Sequence, residues 1–196
     1  PYRGRKVYIE NYGCQMNLSD SELIAGVLQE RGYGLTSRME EADVVLLNTC
    51  AIRDHAEERV MGRLSQLRHQ KSRRPDLVLG VCGCLAKHLA DQIVRRIPEV
   101  DFVVGPDSYR RLPEMISEIN NDPALDVRLD RTEHYEGLKP TRASGSNAWV
   151  TIMRGCDKFC TFCIVPYVRG RERSSSPDEI LRQVAEAAAT GFQEVT

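Results

Sequence analysis

Short apolar runs alternate with segments of helical periodicity over the first 120 residues of the chain. The apolar runs predict strands at residues 6–10, 43–48, 77–81 and 101–105. The segments between them predict helices over 19–32, from about 54, over 85–97 and over 109–119. Ser19 and Glu22 have the spacing of a capping box, which places the first helix start at Ser19. Strands that alternate with helices indicate an α/β domain over residues 1–120, with an open parallel sheet and helices on both faces.

The periodicity is lost between residues 121 and 147, where turn-forming residues are concentrated. This segment is predicted to be a linker, interrupted at most by a short strand at 127–129. A strand at 148–153, a helix from about Ser176 and a strand at 192–196 follow. A unit of this kind begins a (β/α) barrel, whose catalytic loops lie at the carboxyl ends of the strands. Residues 148–196 are therefore expected to be the truncated beginning of a partial TIM barrel.

Composition places the chain among globular proteins, with 196 residues of which 41% are hydrophobic. No apolar run approaches the roughly 20 residues that span a bilayer, and the basic N-terminus does not resemble a signal peptide. A cytoplasmic protein without membrane contact is expected. The net charge of −1 gives no positive field over the whole molecule, so any contact with RNA has to be local.

The seven cysteines are an odd number, and in a reducing compartment they are better interpreted as metal ligands than as a disulfide framework. Cys156, Cys160 and Cys163 lie in one short loop without a nearby histidine. A closed zinc site takes four N or S ligands, whereas three thiolates on a 4Fe-4S cluster leave one iron open to another ligand. The alternatives are a zinc site that borrows a distant histidine and a partial set of disulfides.

A second set of cysteines is defined by its position in the predicted fold. Cys14, Cys50 and Cys84 each follow the end of a predicted strand. Because ligands of such sheets bind at the carboxyl ends of the strands, these residues are expected to meet at one edge as a metal or cluster site. Isolated buried thiols are the alternative. Cys82 is interpreted as a packed thiol outside the site.

A basic segment follows the cysteine loop and contains Tyr167, Arg169, Arg171 and Arg173. The arginines could neutralise RNA phosphates while Tyr167 stacks on a base. A solvated arginine-rich turn, or arginines that pack the two domains together, explains the segment equally well.

The loop Cys156-x3-Cys160-Thr161-Phe162-Cys163 resembles the signature of the radical S-adenosylmethionine (SAM) enzymes. The resemblance implies that the open iron binds SAM and that the cofactors generate a 5′-deoxyadenosyl radical. It also implies that Phe162 lies near the adenine of SAM.

Across the whole chain the sequence resembles the methylthiotransferases, a branch of the radical SAM enzymes, and is most like the bacterial MiaB type. The resembling segments are residues 11–17 with 20–22, 48–53, 83–84 and 154–174. The resemblance implies an auxiliary 4Fe-4S cluster on Cys14, Cys50 and Cys84, which carries the sulfur to be transferred. It assigns Cys156, Cys160 and Cys163 to the SAM-binding 4Fe-4S cluster.

The implied activity is that of a tRNA methylthiotransferase. It would use two SAM molecules to insert a methylthio group at C2 of N6-isopentenyladenosine 37. The implied partners are the tRNA anticodon stem-loop, an external electron donor and a sulfur source, and a monomer is expected. Alternatives are a methylthiotransferase acting on threonylcarbamoyladenosine or ribosomal protein S12, and a non-catalytic metal-binding RNA scaffold. Residues 1–196 alone are expected to show no turnover, because the family's remaining barrel strands and RNA-binding domain are not among them.

Overall fold

The computed structural model describes residues 4–51, 56–119, 122–142 and 145–196. Some residues used in the sequence predictions lie outside these ranges: Pro1, Tyr2, Arg3, Ile52, Arg53, Asp54, Asn120, Asn121 and Ser144. Within the described ranges, none of the helices combines the length and the apolar character that a membrane span would need.

A parallel sheet of six strands forms the centre of the first part of the chain. Its strands are β1 (Lys6–Tyr12), β2 (Gly34–Leu35), β3 (Val44–Thr49), β4 (Val78–Gly83), β5 (Phe102–Val104) and β6 (Ala124–Asp126). Their order is β2-β1-β3-β4-β5-β6, and every neighbouring pair is parallel. The predicted α/β class is therefore confirmed.

Helices cover both faces of this sheet, as predicted. They are α1 (Gln15–Glu30), α2 (Ala56–Arg73), α3 (Cys84–Arg96) and α4 (Leu112–Ser117), with 3₁₀ turns at Met39–Glu41 and Tyr109–Arg111. Apolar side chains of α2 and α3 form one buried core with alternate residues of β3 and β4. Those of α1 and α4 form a second core on the opposite face. The central strands β3, β4 and β5 are buried at every position, which explains their nearly continuous apolar sequences.

The first helix begins at Gln15, not at the predicted Ser19. Cys14 is the N-cap, and the Asn17 side chain accepts a hydrogen bond from the Cys14 backbone N–H at 3.3 Å. Because this capping box lies one turn earlier, Ser19 and Glu22 fall inside the helix. The start predicted at Ser19 is therefore wrong: residues with the spacing of a capping box also occur inside this helix.

The sheet extends beyond residue 120, into the segment predicted to be a linker. The short strand expected at 127–129 lies instead at Ala124–Asp126, where it pairs with β5. Two-residue β2 was not predicted, because so short an edge strand has no detectable alternation.

The second part of the chain contains β7 (Asn147–Ala148), β8 (Met153–Arg154), α5 (Val165–Val168), β9 (Arg173–Ser174), α6 (Pro177–Ala189) and β10 (Glu194–Val195). Strands β7 and β10 pair in parallel across α6, which confirms the predicted βαβ unit. The single strand predicted at 148–153 is wrong. Its first residue belongs to β7, which pairs with β10, whereas its last residue belongs to β8, which is antiparallel to β9.

Candidate metal centre

The sheet register aligns the three strand ends that carry the first cysteine set. Tyr12 is opposite Thr49, and Thr49 is opposite Gly83. Cys14, Cys50 and Cys84 follow these positions directly or after one further residue, so all three lie at one sheet edge, as the sequence predicts. Cys50 and Cys84 are buried, whereas Cys14 is half-buried.

This edge is not arranged for a single metal ion. Among the described residues, no group of three His, Cys, Asp or Glu side chains could hold one ion. A 4Fe-4S cluster places different demands on its ligands, because it is larger and each thiolate binds a different iron. Three thiols that follow three adjacent strand ends are the type of donor that such a cluster takes.

The backbone at Gly83 is compatible only with glycine. Its φ of 98° and ψ of −162° lie in a region that other residues hardly adopt. A Cβ there would lie 2.4 Å from the carbonyl oxygen of Thr49. Gly83 therefore allows β4 to pass directly into α3, whose first residue is Cys84.

Two buried asparagines join the Cys14 turn to the end of β3. Asn17 Nδ2 donates to Asn48 Oδ1 at 3.2 Å and to the Thr49 carbonyl at 3.1 Å. Asn48 Nδ2 donates to the Asn17 carbonyl at 2.8 Å and to Ser21 Oγ at 2.9 Å. These contacts fix the relative positions of the loops that carry Cys14 and Cys50. Sequence reasoning gave neither asparagine a role, although a polar Asn48 within an apolar strand was a usable signal.

The second cysteine loop is closed against the segment that follows α5. Cys156 N–H donates to the Gly170 carbonyl at 3.1 Å, and Cys163 N–H donates to the Cys160 carbonyl at 2.9 Å. Gly155 has a φ of 76°, and a Cβ there would lie 2.1 Å from the Arg171 carbonyl oxygen. The loop therefore packs tightly at its base. Cys160 at its tip is exposed.

A buried charge cluster lies between the two cysteine sets. The Asp20 carboxylate accepts from Arg154 Nη2 at 2.9 Å, from Arg169 Nη2 at 2.7 Å and from the Tyr109 hydroxyl at 3.2 Å. Burial opposes ionisation of Asp20, but the two guanidinium groups outweigh it and lower the pKa of the carboxyl below its ordinary value. Asp20 is thus a buried anion that joins the second part of the chain to the first.

Arg169 also reaches the first cysteine set, since its Nε lies 3.1 Å from the Sγ of Cys84. Burial raises the pKa of the Cys84 thiol to about 11, against the lowering effect of Arg169. A thiol that binds a metal is deprotonated, so the positive charge favours the form that coordinates.

The buried arginines correct part of the RNA prediction. Arg169 is 4% exposed and Arg173 is 8% exposed, and Arg173 forms a two-pronged ion pair with Asp107 at 2.9 and 3.1 Å. Their guanidinium groups are not available to RNA phosphates, and they pack the two parts of the chain together. Tyr167, by contrast, is 65% exposed, and about half of the Arg171 side chain is exposed.

Two regions of the sequence match known families. Residues 6–105 match the family described as Uncharacterized protein family UPF0004, and residues 150–196 match the Radical SAM superfamily. The chain belongs to the UPF0004 family. The first match contains the set Cys14, Cys50 and Cys84, and the second contains the set Cys156, Cys160 and Cys163.

Curated relatives of this UPF0004 chain carry the name tRNA-2-methylthio-N(6)-dimethylallyladenosine synthase. The chain is 46% identical to the relative from Bacteroides fragilis over 195 residues, which is 98% of this chain and 42% of that protein. It is 46% identical to the Bacillus pumilus relative and 44% identical to the Bacillus subtilis relative, in each case over 98% of this chain and 39% of the relative. These similarities confirm the predicted resemblance to the radical SAM methylthiotransferases. The chain spans about two fifths of the length of these relatives.

A cleft of about 420 Å³ lies beside Cys14. Gln15, Met16 and Ser19 of α1 form one wall, and residues 149–153 of the second part form another. Ser19 and Thr151 join the walls through their hydroxyl groups at 2.8 Å. Of the first cysteine set, Cys14 lines this cleft, which lies between residues of the two matched regions.

Cys82 and Phe162 differ strongly in burial. Cys82 is fully buried in the second core, and its Sγ lies 3.5 Å from the Leu47 carbonyl oxygen, which confirms the packed thiol. Phe162, between the last two loop cysteines, is 91% exposed.

Proposed function

We propose that the complete protein is a radical SAM tRNA methylthiotransferase that inserts a methylthio group at C2 of N6-isopentenyladenosine 37. The observation that carries this proposal is the identity of 44–47% over 98% of the chain, which spans both cysteine sets, to relatives named as methylthio-dimethylallyladenosine synthases. N6-dimethylallyladenosine is another name for N6-isopentenyladenosine. The proposed activity is that of the complete protein, since the chain spans 39–43% of these relatives.

Two 4Fe-4S clusters are proposed to bind to the six cysteines, in the sets that the fold defines. Cys14, Cys50 and Cys84 would hold the auxiliary cluster, and Cys156, Cys160 and Cys163 would hold the cluster that binds SAM. When bound, these cofactors supply the one-electron and sulfur chemistry that amino-acid side chains lack. The fit rests on the alignment of three strand ends and on a thiol-only donor set in each case.

The side chains of this protein would position the two centres and shield them. The Asp20 cluster fixes the segment around the second cysteine loop against the first sheet. The cleft beside Cys14, lined by Met16, Trp149 and Ile152, offers apolar surface on which a planar base could pack away from water. Phe162 is proposed to pack near the SAM adenine, and its exposed ring is free to do so.

The remaining partners follow from this reaction. The tRNA anticodon stem-loop would be the substrate, with Tyr167 and Arg171 as contacts from the exposed part of the basic segment. An external electron donor and a source of replacement sulfur would be required. A cytoplasmic monomer is proposed, because tRNA and a reducing environment for thiols are both found there.

The activity is tested with the complete protein, reconstituted anaerobically and incubated with tRNA that carries isopentenyladenosine. Mass spectrometry of the nucleosides should detect the 2-methylthio product. Cys14→Ala and Cys156→Ala should abolish it, while Cys82→Ala, which removes a buried thiol outside both sets, should retain it. A fully loaded enzyme that leaves tRNA unchanged but adds the mass to ribosomal protein S12 would favour the alternative substrate.

Metal content tests the cluster assignment independently of activity. The reconstituted complete protein should contain about eight irons with matching sulfide, as two 4Fe-4S clusters require. Simultaneous replacement of Cys14, Cys50 and Cys84 by alanine should reduce this to about four. Stoichiometric zinc in place of iron would instead favour a metal-binding scaffold.

A further inference from the structure

We propose that Arg169 raises the reduction potential of the cluster held by Cys84, through a charge-assisted hydrogen bond to the Cys84 sulfur. The inference rests on the auxiliary cluster of the proposed function and adds a role for a residue outside the cysteine sets. Arg169 is a positioning residue in this scheme, since it acts through the Cys84 ligand.

The contact joins the two parts of the chain. Arg169 directly follows α5, beside the second cysteine loop, whereas Cys84 begins α3 in the first domain. Arg169 Nε lies 3.1 Å from Cys84 Sγ, and both residues are almost fully buried, at 4% and 1% exposed. Water therefore screens the guanidinium charge at this sulfur only weakly.

Asp20 holds the guanidinium group in place from its other side. Its Oδ2 lies 2.7 Å from Arg169 Nη2, and its Oδ1 lies 2.9 Å from Arg154 Nη2. The Arg169 carbonyl accepts a further hydrogen bond from Arg173 Nη2 at 2.9 Å. Both the side chain and the backbone of Arg169 are thus fixed, so the bond to sulfur does not depend on a mobile surface group.

One nitrogen of this guanidinium has no assigned acceptor. Arg169 Nη1 is buried and has no hydrogen-bond partner within the part of the chain that the structure describes. A buried N–H without an acceptor is unfavourable, and it costs more on a charged group. Within the same described residues, Arg154 Nη1 and Arg173 Nε also lack a partner, so the contact of Arg169 Nε with Cys84 Sγ carries the proposal.

The sign of the effect follows from charge. Reduction adds one electron to the cluster from the external donor, so the reduced form carries one more negative charge. A fixed positive charge beside a ligand sulfur stabilises the reduced form more than the oxidised form and raises the potential. Asp20 opposes this effect with its own negative charge. The three side chains of Asp20, Arg154 and Arg169 still carry a net positive charge, because two guanidinium groups face one carboxylate.

A redox titration followed by electron paramagnetic resonance tests this inference. The complete protein carries Cys156→Ala, Cys160→Ala and Cys163→Ala, so that only the auxiliary cluster contributes. In this background, Arg169→Gln should decrease the equilibrium constant for reduction at least tenfold, which is a fall of about 59 mV for one electron. Arg169→Lys should show a smaller fall, because it keeps the charge but loses the Nε donor.

Two further variants separate this effect from general loss of charge or of packing. Arg171→Gln removes the same charge two residues away, from a side chain that pairs with Asp157 instead of Cys84, and should leave the potential unchanged. Asp20→Asn removes the opposing negative charge and should shift the potential upward, in the direction opposite to Arg169→Gln. A purely structural Arg169 would not produce this pair of opposite shifts.

The outcomes separate this inference from the proposed function. Absence of iron from the background protein with Arg169 intact would overturn the auxiliary cluster itself. Four bound irons with an unchanged potential in Arg169→Gln would overturn the inference alone. If Arg169→Gln does not bind iron, the potentials of Arg169→Lys and Asp20→Asn provide the test. A lower potential in Arg169→Lys and a higher one in Asp20→Asn would support the role of Arg169. An unchanged potential in both variants would refute it.

Discussion

The Asp20 carboxylate lies 2.9 Å from Nη2 of Arg154, although 134 residues separate them in the sequence. Asp20 is fully buried and Arg154 is 6% exposed. The pair joins the first turns of α1 to the residue that precedes the second cysteine loop. Together with Arg169 it forms a buried ionic contact between the two matched regions.

Removing the shared anion should be strongly destabilising. Asp20→Ala leaves two buried guanidinium groups without their carboxylate, and loss of one partner of a buried pair costs about 3–5 kcal/mol. Chemical denaturation followed by circular dichroism measures the change. Glu114→Ala is the matched control, because it breaks the pair with Arg31 at the surface, where about 0–1 kcal/mol is expected. Similar losses in both variants would argue against a special role for the buried cluster.

The same carboxylate predicts a pH dependence of stability. The folded pKa of Asp20 is lowered, so its contribution is fully present above the unfolded value of about 3.9 and decreases as the pH falls below it. The unfolded state binds the extra proton in that window. Wild-type protein should therefore lose more stability than Asp20→Asn between pH 5 and pH 3. Parallel losses in the two proteins would show that Asp20 does not contribute to the acid sensitivity.

A methyl group at Gly83 should disturb the first cysteine set. Gly83→Ala forces a Cβ into the Thr49 carbonyl and a side chain into a backbone region reserved for glycine, at an expected cost of about 1–3 kcal/mol. Iron bound at Cys14, Cys50 and Cys84 should fall with it. Gly62→Ala in α2 has open space and should instead stabilise the helix by about 0.5–1 kcal/mol. Thermal unfolding and iron analysis of both variants test the difference.

Loss of the Asn17 side chain should weaken the turn that carries Cys14. Asn17→Ala leaves the Asn48 oxygen, the Thr49 carbonyl and the Cys14 N–H without this partner, at about 1–3 kcal/mol for buried groups. The exposed neighbour Gln15 gives the comparison, since Gln15→Ala should change stability by no more than about 0.5 kcal/mol. Denaturation midpoints of the two variants are measured side by side, and equal midpoints would contradict the capping role of Asn17.

The exposed part of the basic segment should contribute to tRNA affinity. Arg171→Ala should weaken binding and reduce the slope of affinity against salt concentration by about one unit, as expected for one lost phosphate contact. Filter binding of tRNA over a series of salt concentrations provides the slope. Arg38→Ala removes an exposed arginine from the first part of the chain and should leave the slope unchanged. An unchanged slope for Arg171→Ala would restrict the RNA surface to other parts of the complete protein.

Sequence patterns predicted the sheet and both cysteine sets because those features depend on local regularities. Apolar strands and amphipathic helices alternate, and the carboxyl ends of parallel strands always share one edge. Cys14, Cys50 and Cys84 could therefore be grouped although they have no motif of fixed spacing. The helix start at Gln15 was missed because Cys14 and Asn17 are a less familiar capping pair than the Ser19 and Glu22 that follow them.

The α/β class, the grouping of the cysteines and the family resemblance all follow from the amino-acid pattern alone. The roles of the arginines could not be predicted in this way, because the partner of a charged side chain depends on which distant residues the fold brings within hydrogen-bond distance. Arg169 and Arg171 are two positions apart and look equivalent in the sequence. One is buried between Asp20 and Cys84, and the other lies at the surface beside Asp157. In the fold, Arg169 and Arg173 of this apparent RNA-binding segment instead join the two parts of the chain.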